Sequence, residues 1–221
     1  MDSAIQRKIM VDSQVRPNDV TDRRIPRAML DVPREVFVPL ARQQVAYMDG
    51  DLVVSKAGTR PVRALLAPRT LAKLIQALDL DSDGLVLDIG PATGYSTAIL
   101  AHMTRKVIGL ECDAVLATKA EEALQTIGIA NATVETGPLG DGVVRHGPYD
   151  GILIGGKVAD VPAGLLDQLK DGGKLVAIVD DGGVGKAAVW QRYGMNFDRR
   201  TLFDAEAHAL PGLERKAAFV F

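Results

Sequence analysis

The sequence has little cysteine, few histidines and no excess of charge of either sign. Cys112 is its only cysteine, which excludes an intrachain disulfide and a cysteine-cluster metal site. The three histidines, His102, His146 and His208, do not have metal-ligand spacing, so we expect no bound metal. Lysine and arginine number 26 against 28 aspartates and glutamates, a net charge of −2 that supplies no strong positive field for a nucleic acid or an anionic membrane.

Long apolar runs are also absent. No run reaches the ~20 residues that cross a bilayer, and the first eight residues lack the apolar core of a secretion signal. With the single cysteine, this composition favours a soluble cytoplasmic protein that binds neither membranes nor nucleic acid. Hydrophobic residues make up 47% of the 221 residues and charged residues 24%, close to the globular average, so the chain can bury a sizeable core.

The first 80 residues differ in pattern from the rest. Prolines punctuate residues 1–45, which indicates short helices joined by tight turns, and residues 46–68 lack a clear period, which is typical of an ordered loop. From Thr70 the apolar residues follow a helical stripe: Leu71, Leu74, Ile75 and Leu78. We expect residues 1–80 to form an N-terminal helical cap and substrate-lid region, packed on a main cofactor-binding domain of residues 81–221.

After Gly84, short apolar runs alternate with segments that can form helices. Near-continuous apolar strands are typical of a parallel sheet covered on both faces. The strand candidates are Leu85–Ile89, Lys106–Leu110, Thr133–Glu135, Gly151–Ile154, Lys174–Val179, Ala187–Tyr193 and Lys216–Phe221, and the helix candidates between them are Ser96–Met103, Ala114–Thr126 and Ala163–Leu169. The alternation predicts an α/β fold with a doubly wound, mostly parallel seven-stranded sheet that ends in an antiparallel pair.

The loop after the first of these strands is the most informative stretch. Ligands of open parallel sheets bind outside the carboxyl ends of the strands, where the winding direction reverses. Gly90 and Gly94 allow a sharp turn and a close approach to a ligand, and Glu111, 21 residues after Gly90, can accept both hydroxyls of a ribose. The pair predicts a nucleoside-containing cofactor. The alternative is that the glycines only form a tight turn and Glu111 is a solvated strand end.

Two kinds of cofactor use this geometry. Nicotinamide cofactors are usually bound by G-x-G-x-x-G, whereas this loop reads G-x-x-x-G with Ala92 between the glycines. S-adenosylmethionine enzymes pair an acidic residue just before the first glycine, here Asp88, with the ribose-binding acid. The pattern therefore favours the methyl donor.

Together these segments resemble the protein-L-isoaspartate O-methyltransferase family of class I methyltransferases. Residues 27–39, RAMLDVPREVFVP, are similar to the family signature AM..VPRE.FVP. Further matching segments follow in family order: Ala46-Tyr47 with Asp49 and Leu52, Gly90 with Gly94-Tyr95, Pro148-Tyr149-Asp150, Pro162, and Gly172 through Val176. The resemblance covers residues 10–180, and the remaining residues look like those of a divergent bacterial branch.

The resemblance implies a Rossmann-like methyltransferase that carries a methyl group from S-adenosyl-L-methionine to the α-carboxylate of isoaspartyl residues. The substrate would be a damaged protein or peptide, and the reaction would be a repair step. The cofactor-binding residues that it implies are Asp88, Gly90, Gly94, Tyr95 and Glu111.

The chain departs from the family in the loop that would contact the substrate, which reads GQTISQP in typical members. Counting from Tyr47 places Thr59 on the family's threonine and Pro61 on its serine, whereas counting back from Pro68 places Leu66 on that serine. The loop therefore carries an insertion within residues 55–68 and lacks the serine by either count. Thr59 is the remaining hydroxyl candidate for catalysis, and residues 49–63 are the predicted lid.

Two cofactor positions also differ from the family pattern. Ala92 replaces the middle glycine of the turn, and Pro138 stands where the family has the aspartate that recognises adenine. These changes leave two other hypotheses open: a catalytically inactive binding or regulatory module on the same fold, and a methyltransferase for a different carboxylate.

Overall fold

The computed structural model describes residues 2–214. Its N-terminal part contains short helices, as the proline spacing predicts: α1 (Ser3–Met10), which continues into a π-helical turn over Val11–Val15, α2 (Arg24–Asp31), 3-10 turns over Arg34–Phe37 and Leu40–Val45, and α3 (Pro68–Leu78). The loop before α3 contains a small hairpin of β1 (Leu52–Val53) and β2 (Ala64–Leu65). Pro68 in the first turn of α3 suits the helix start, because proline lacks only an amide that would be unpaired there.

A seven-stranded sheet forms the centre of the molecule and confirms the predicted fold class. Its strands are β3 (Leu85–Ile89), β4 (Lys106–Glu111), β5 (Ala132–Thr136), β6 (Tyr149–Val158), β7 (Leu169–Val179), β8 (Lys186–Tyr193) and β9 (Asn196–Asp204), and the helices between them are α4 (Tyr95–Ala101), α5 (Ala114–Thr126) and α6 (Ala163–Leu166). The order is β5-β4-β3-β6-β7-β8-β9, parallel from β5 through β7, with β8 and β9 antiparallel.

The final strand differs from the prediction. The antiparallel partner of β8 is β9, whereas the predicted strand over Lys216–Phe221 lies outside the described residues. Strand β9 is an edge strand with mostly exposed residues, among them Asp198, Arg199 and Arg200. Charged side chains of this kind protect a sheet edge from pairing with other chains. Because of them, β9 lacks the apolar run by which the other strands were predicted.

Alternating residues of each strand pack into two cores on opposite faces of the sheet. Val176 lies in the core shared with α1 to α5, and its neighbour Leu175 lies in the core on the other face. Helix α3 covers the middle of the first face with the predicted stripe, including Leu71 and Leu74. Within residues 2–214, no helix is both long enough and apolar enough to span a bilayer.

Candidate functional site

The turn after β3 lies where the chain reverses its winding direction, because β4 pairs with one side of β3 and β6 with the other. Gly90, Ala92 and Gly94 all have positive φ, at 71°, 54° and 93°. Alanine is strained by about 1–2 kcal/mol in this region, so Ala92 is held there by its surroundings. The amide of Gly90 donates to the carbonyl of Leu110 over 2.8 Å, which fixes the turn against the end of β4.

Asp88 lies beneath this turn and is fully buried. Its Oδ2 accepts hydrogen bonds from the hydroxyls of Ser96 and Thr97, both at 2.7 Å, at the start of α4. Burial raises the pKa of Asp88 from its ordinary 3.8 to about 6, and the two hydroxyls oppose that rise. The aspartate therefore ties β3 to α4 from below.

Tyr95 is also fully buried, beneath the N-terminal turns of the chain. Its ring packs edge-on against Phe37 with 5.6 Å between centroids, and the Arg34 guanidinium lies 4.6 Å from the ring centroid. Arg34 in turn donates to the carbonyls of Ala46 (2.8 Å) and Leu66 (2.9 Å). Arg34, which lies in the signature segment of residues 27–39, thus links the Tyr95 ring to the loop that leads into α3.

Glu111 stands at the carboxyl end of β4 and is fully buried, not solvated. Its Oε2 accepts from the amide of Ala92 at 2.9 Å, and its Oε1 accepts from the amides of Cys112 and Asp113 at 2.9 and 3.2 Å. Backbone groups from two separate turns therefore aim the carboxylate toward the Gly90 turn. The structure thus brings together the two groups that the sequence predicted to converge.

A side chain from the loop between β1 and β2 occupies this convergence point. Arg63 forms a two-pronged ion pair with Glu111, from Nη1 to Oε1 at 2.8 Å and from Nη2 to Oε2 at 2.7 Å, and Nη2 also donates to the carbonyl of Gly90 at 3.1 Å. The side chains are 4% and 0% exposed, so the pair is removed from solvent. It closes the place where the sequence predicts a ribose.

The loop that carries Arg63, residues 54–63, is closed at its base by backbone hydrogen bonds. The carbonyl of Arg63 accepts from the amides of Val54 and Ser55 at 2.8 and 3.2 Å, and the Ser55 hydroxyl accepts from the Arg63 amide. We call this segment the arginine loop. These hydrogen bonds fix the backbone of Arg63, from which its side chain enters the cleft.

A second segment covers the turn from the other side. Residues 205–213, which we call the strap, run along the end of β6, where Leu210 N donates to Lys157 O and Ala159 N donates to Leu213 O. A Cβ on Gly90 would lie 2.9 Å from Leu210 Cδ2, and one on Gly156 would lie 2.7 Å from Leu210 Cγ. Only about 10 Å³ of free space remains beside Gly90, between Leu66 and Tyr95.

The far side of the cleft is covered by the same strap. Pro138 begins a 3-10 turn over Leu139–Asp141 in which Leu139 is buried. A Cβ on Gly140 would lie 3.4 Å from Leu213 Cδ2, so Leu213 packs against the turn that the resemblance assigns to adenine. The Asp141 side chain is exposed.

Thr59 lies at the exposed outer end of the arginine loop. It lines a cavity of about 140 Å³ against the start of α5, with Asp113 and Lys119, and it does not line the space beside Gly90. The residues that border the cleft immediately before α3 are Ala64, Leu65 and Leu66, none of which has a hydroxyl. The catalytic role of Thr59 stays a prediction.

Sequence reasoning missed Arg63 and Leu210. Arg63 is buried, whereas the nearby Arg60 and Arg69 are exposed, and Arg69 borders a polar cavity of about 690 Å³ between α3 and the strap. A basic residue directly before the apolar run 64–67 was the available signal for Arg63. Among residues 2–214, no three His, Cys, Asp or Glu side chains are grouped so as to share a metal ion.

Solved structures share this fold along nearly the whole chain. A protein-L-isoaspartate O-methyltransferase superposes with a TM-score of 0.84 at 24% identity, over 94% of this chain and 67% of that one. A Plasmodium falciparum structure described as a beta-aspartate methyltransferase, in complex with S-adenosyl-L-homocysteine, superposes with a TM-score of 0.78 at 21% identity, over 92% and 97%. These similarities show the fold.

Sequence comparison extends the likeness to the family. A protein-L-isoaspartate O-methyltransferase of Herpetosiphon aurantiacus is 36% identical over 197 residues, 89% of this chain and 86% of the relative. Protein-L-isoaspartate O-methyltransferase 2 of Geotalea uraniireducens is 37% identical over 172 residues, 78% and 77%. The profile of the family described as Protein-L-isoaspartate(D-aspartate) O-methyltransferase (PCMT) matches residues 6–202, so the chain belongs to this family of S-adenosylmethionine-dependent methyltransferases, as its signature residues predicted.

Proposed function

We propose that this chain transfers a methyl group from S-adenosylmethionine to a carboxylate of a damaged protein, with the isoaspartyl α-carboxylate as the first substrate to test. The observation that supports this most strongly is Glu111. Three backbone amides hold this buried carboxylate beside the Gly90 turn, where the sequence predicts an acid that binds a ribose. Residues 1–80 would act as the cap and lid of the site, and the cytoplasm is the proposed location.

As folded, the cleft does not fit the cofactor. Arg63 occupies both oxygens of Glu111, and Leu210 lies against Gly90, where the methionine part would pass. Methyl transfer therefore requires a conformation in which the arginine loop and Leu210 have moved. Asp88, Gly94 and Tyr95 would support the turn from below in both conformations, because their contacts are with α4, α5 and the N-terminal turns.

The proposed acceptor makes small chemical demands on the protein. A carboxylate with an ordinary pKa near ~4 is ionised at neutral pH, so the reaction needs no strong general base. Orientation of the acceptor and exclusion of water are the remaining tasks, and good orientation can contribute about 7–11 kcal/mol. The polar cavity between α3 and the strap, with Arg69 and Lys73 on its wall, is the proposed entrance for the acceptor peptide.

We expect the absence of the family's serine to lower the rate of methyl transfer. Ala64, Leu65 and Leu66 beside the turn carry no hydroxyl that could orient the acceptor, and Thr59 would have to move inward to supply one. We therefore expect methylation of an isoaspartyl peptide by radiolabelled S-adenosylmethionine to be measurable but slow, and we expect Thr59→Val to reduce kcat if Thr59 supplies that hydroxyl. An aspartyl peptide of the same sequence is the control. Equal labelling of both peptides, or of neither, would contradict the proposed substrate.

A second candidate function is a binding or regulatory module on the same fold. The filled cleft favours it, because Arg63 pairs with Glu111 and Leu210 occupies the space beside Gly90. Isothermal titration with S-adenosylmethionine separates the two: saturable binding favours the enzyme, and absence of heat together with absence of thermal stabilisation favours the module.

A further inference from the structure

The Glu111 carboxylate has no hydrogen-bonding capacity left for a ligand. Five donors lie within 3.2 Å of its two oxygens, namely the two Arg63 guanidinium nitrogens and the amides of Ala92, Cys112 and Asp113. An ionised carboxylate offers about four lone-pair sites, so this one is saturated. The three amides belong to the turns that follow β3 and β4, and the two arginine donors come from the arginine loop.

If two ribose hydroxyls replaced the two Arg63 donors, Glu111 would accept the same number of hydrogen bonds as before. Removing one partner of a buried ion pair is costly, because the other charge is left uncompensated. Hydroxyls that enter as Arg63 leaves would keep Glu111 hydrogen-bonded. The guanidinium would be released to solvent with the arginine loop, whose tip from Ala57 to Arg60 is already exposed.

The Leu210 side chain also fills the cleft beside Gly90. Its side chain occupies the space that a Cβ on either Gly90 or Gly156 would need. The strap that carries it is attached to the end of β6 by hydrogen bonds on both sides of Leu210, to Lys157 and Ala159. Leu210 therefore blocks the cleft independently of the ion pair.

We propose that Arg63 and Leu210 form a gate that holds the cofactor cleft shut, with Arg63 competing directly with the ribose for Glu111. This inference rests on the proposed use of Glu111 to hold a nucleoside. Arg63 then sets the affinity for the cofactor, and opening of the arginine loop precedes binding or accompanies it. The gate predicts that the wild-type chain binds the nucleoside more weakly than a variant without it.

The test is titration with S-adenosyl-L-homocysteine, which carries the adenosyl group but cannot react, using the wild-type chain, Arg63→Gln, Leu210→Ala and the double variant. We expect the double variant to bind at least about tenfold more tightly than the wild type, with smaller gains for the single variants. Arg60→Gln, in the same loop but exposed, is the matched control and should bind like the wild type. Far-UV circular dichroism checks that each variant is folded.

Two results would overturn the gate: equal affinity of the wild type and the folded double variant, or failure of every folded variant to bind. If Arg63→Gln does not fold, Leu210→Ala decides, since it leaves the ion pair intact and must still bind more tightly.

The gate and the proposed function fail in different ways. Variants that bind S-adenosyl-L-homocysteine more tightly but never methylate a carboxylate would support the gate and contradict the function. Methylation of an isoaspartyl peptide with the same affinity in all variants would support the function and contradict the gate.

Discussion

At the scale of single residues, the partners of a buried acidic group decide what it can do. Asp88 and Glu111 are both fully buried, yet Glu111 has a cation and three amides, whereas Asp88 has two neutral hydroxyls on one oxygen. In the described chain the other oxygen of Asp88 has no hydrogen-bond partner. The folded state therefore holds a proton on Asp88 more tightly than the unfolded state does.

This difference predicts a specific dependence of stability on pH. Because the pKa of Asp88 is raised from 3.8 to about 6, its favourable contribution is complete below pH 3.8 and is lost as the pH rises through about 6. We expect Asp88→Asn to gain up to roughly 3 kcal/mol of unfolding free energy relative to the wild type between pH 4 and pH 7.5. Urea unfolding at several pH values measures this.

Asp83→Asn is the control for that measurement, because Asp83 is exposed. Its stability curve should run parallel to that of the wild type. A constant difference between Asp88→Asn and the wild type at all pH values would show that Asp88 does not carry the raised pKa.

At the scale of elements, the positive-φ turn before α4 is fixed by its packing against α5. A Cβ on Gly94 would lie 3.0 Å from the Cβ of Ala120, whereas a Cβ on Gly128, also at positive φ, would meet nothing within 4 Å. We expect Gly128→Ala to cost about 1–2 kcal/mol for the backbone alone. Gly94→Ala should cost about 1–3 kcal/mol more, because it also crowds α5.

The pair of variants isolates the packing contribution, since both share the backbone cost. Urea unfolding of the two measures the difference, with equal dependence on urea concentration as the check that both unfold as the wild type does. Equal losses in both variants would mean that α4 and α5 adjust freely at Gly94.

The elements also show what a sequence can and cannot predict. Strands β3, β4, β6, β7 and β8 were predictable because their apolar runs are buried on both faces. Strand β9 was not, because an exposed charged edge lacks that signal. Convergence of Gly90 and Glu111 follows from topology, whereas the arrival of Arg63, 48 residues before Glu111, depends on the path of an irregular loop that no periodicity describes.

At the scale of the whole molecule, the N-terminal 80 residues and the sheet share one core. Residues of α1 and α2, such as Met10 and Met29, belong to the same apolar cluster as Val86 and Val176 of the sheet. Helix α3 lies directly on β6 and β7, and its removal would expose the middle of the sheet. The boundary expected near residue 80 therefore does not separate two independent cores.

The chain should therefore unfold in a single cooperative transition. Fluorescence of Trp190, the only tryptophan, reports on β8. Far-UV circular dichroism reports on the helices, and α1 to α3 hold more than half of the residues in the α-helices that the structure describes. Both signals should change at the same urea concentration, because neither part buries its apolar face without the other. A fragment of residues 81–221 should show no cooperative transition. Separate midpoints for the two signals, or a cooperatively folded fragment, would mean that the sheet domain is stable without its N-terminal cover, and the arginine loop could then open without cost to the core.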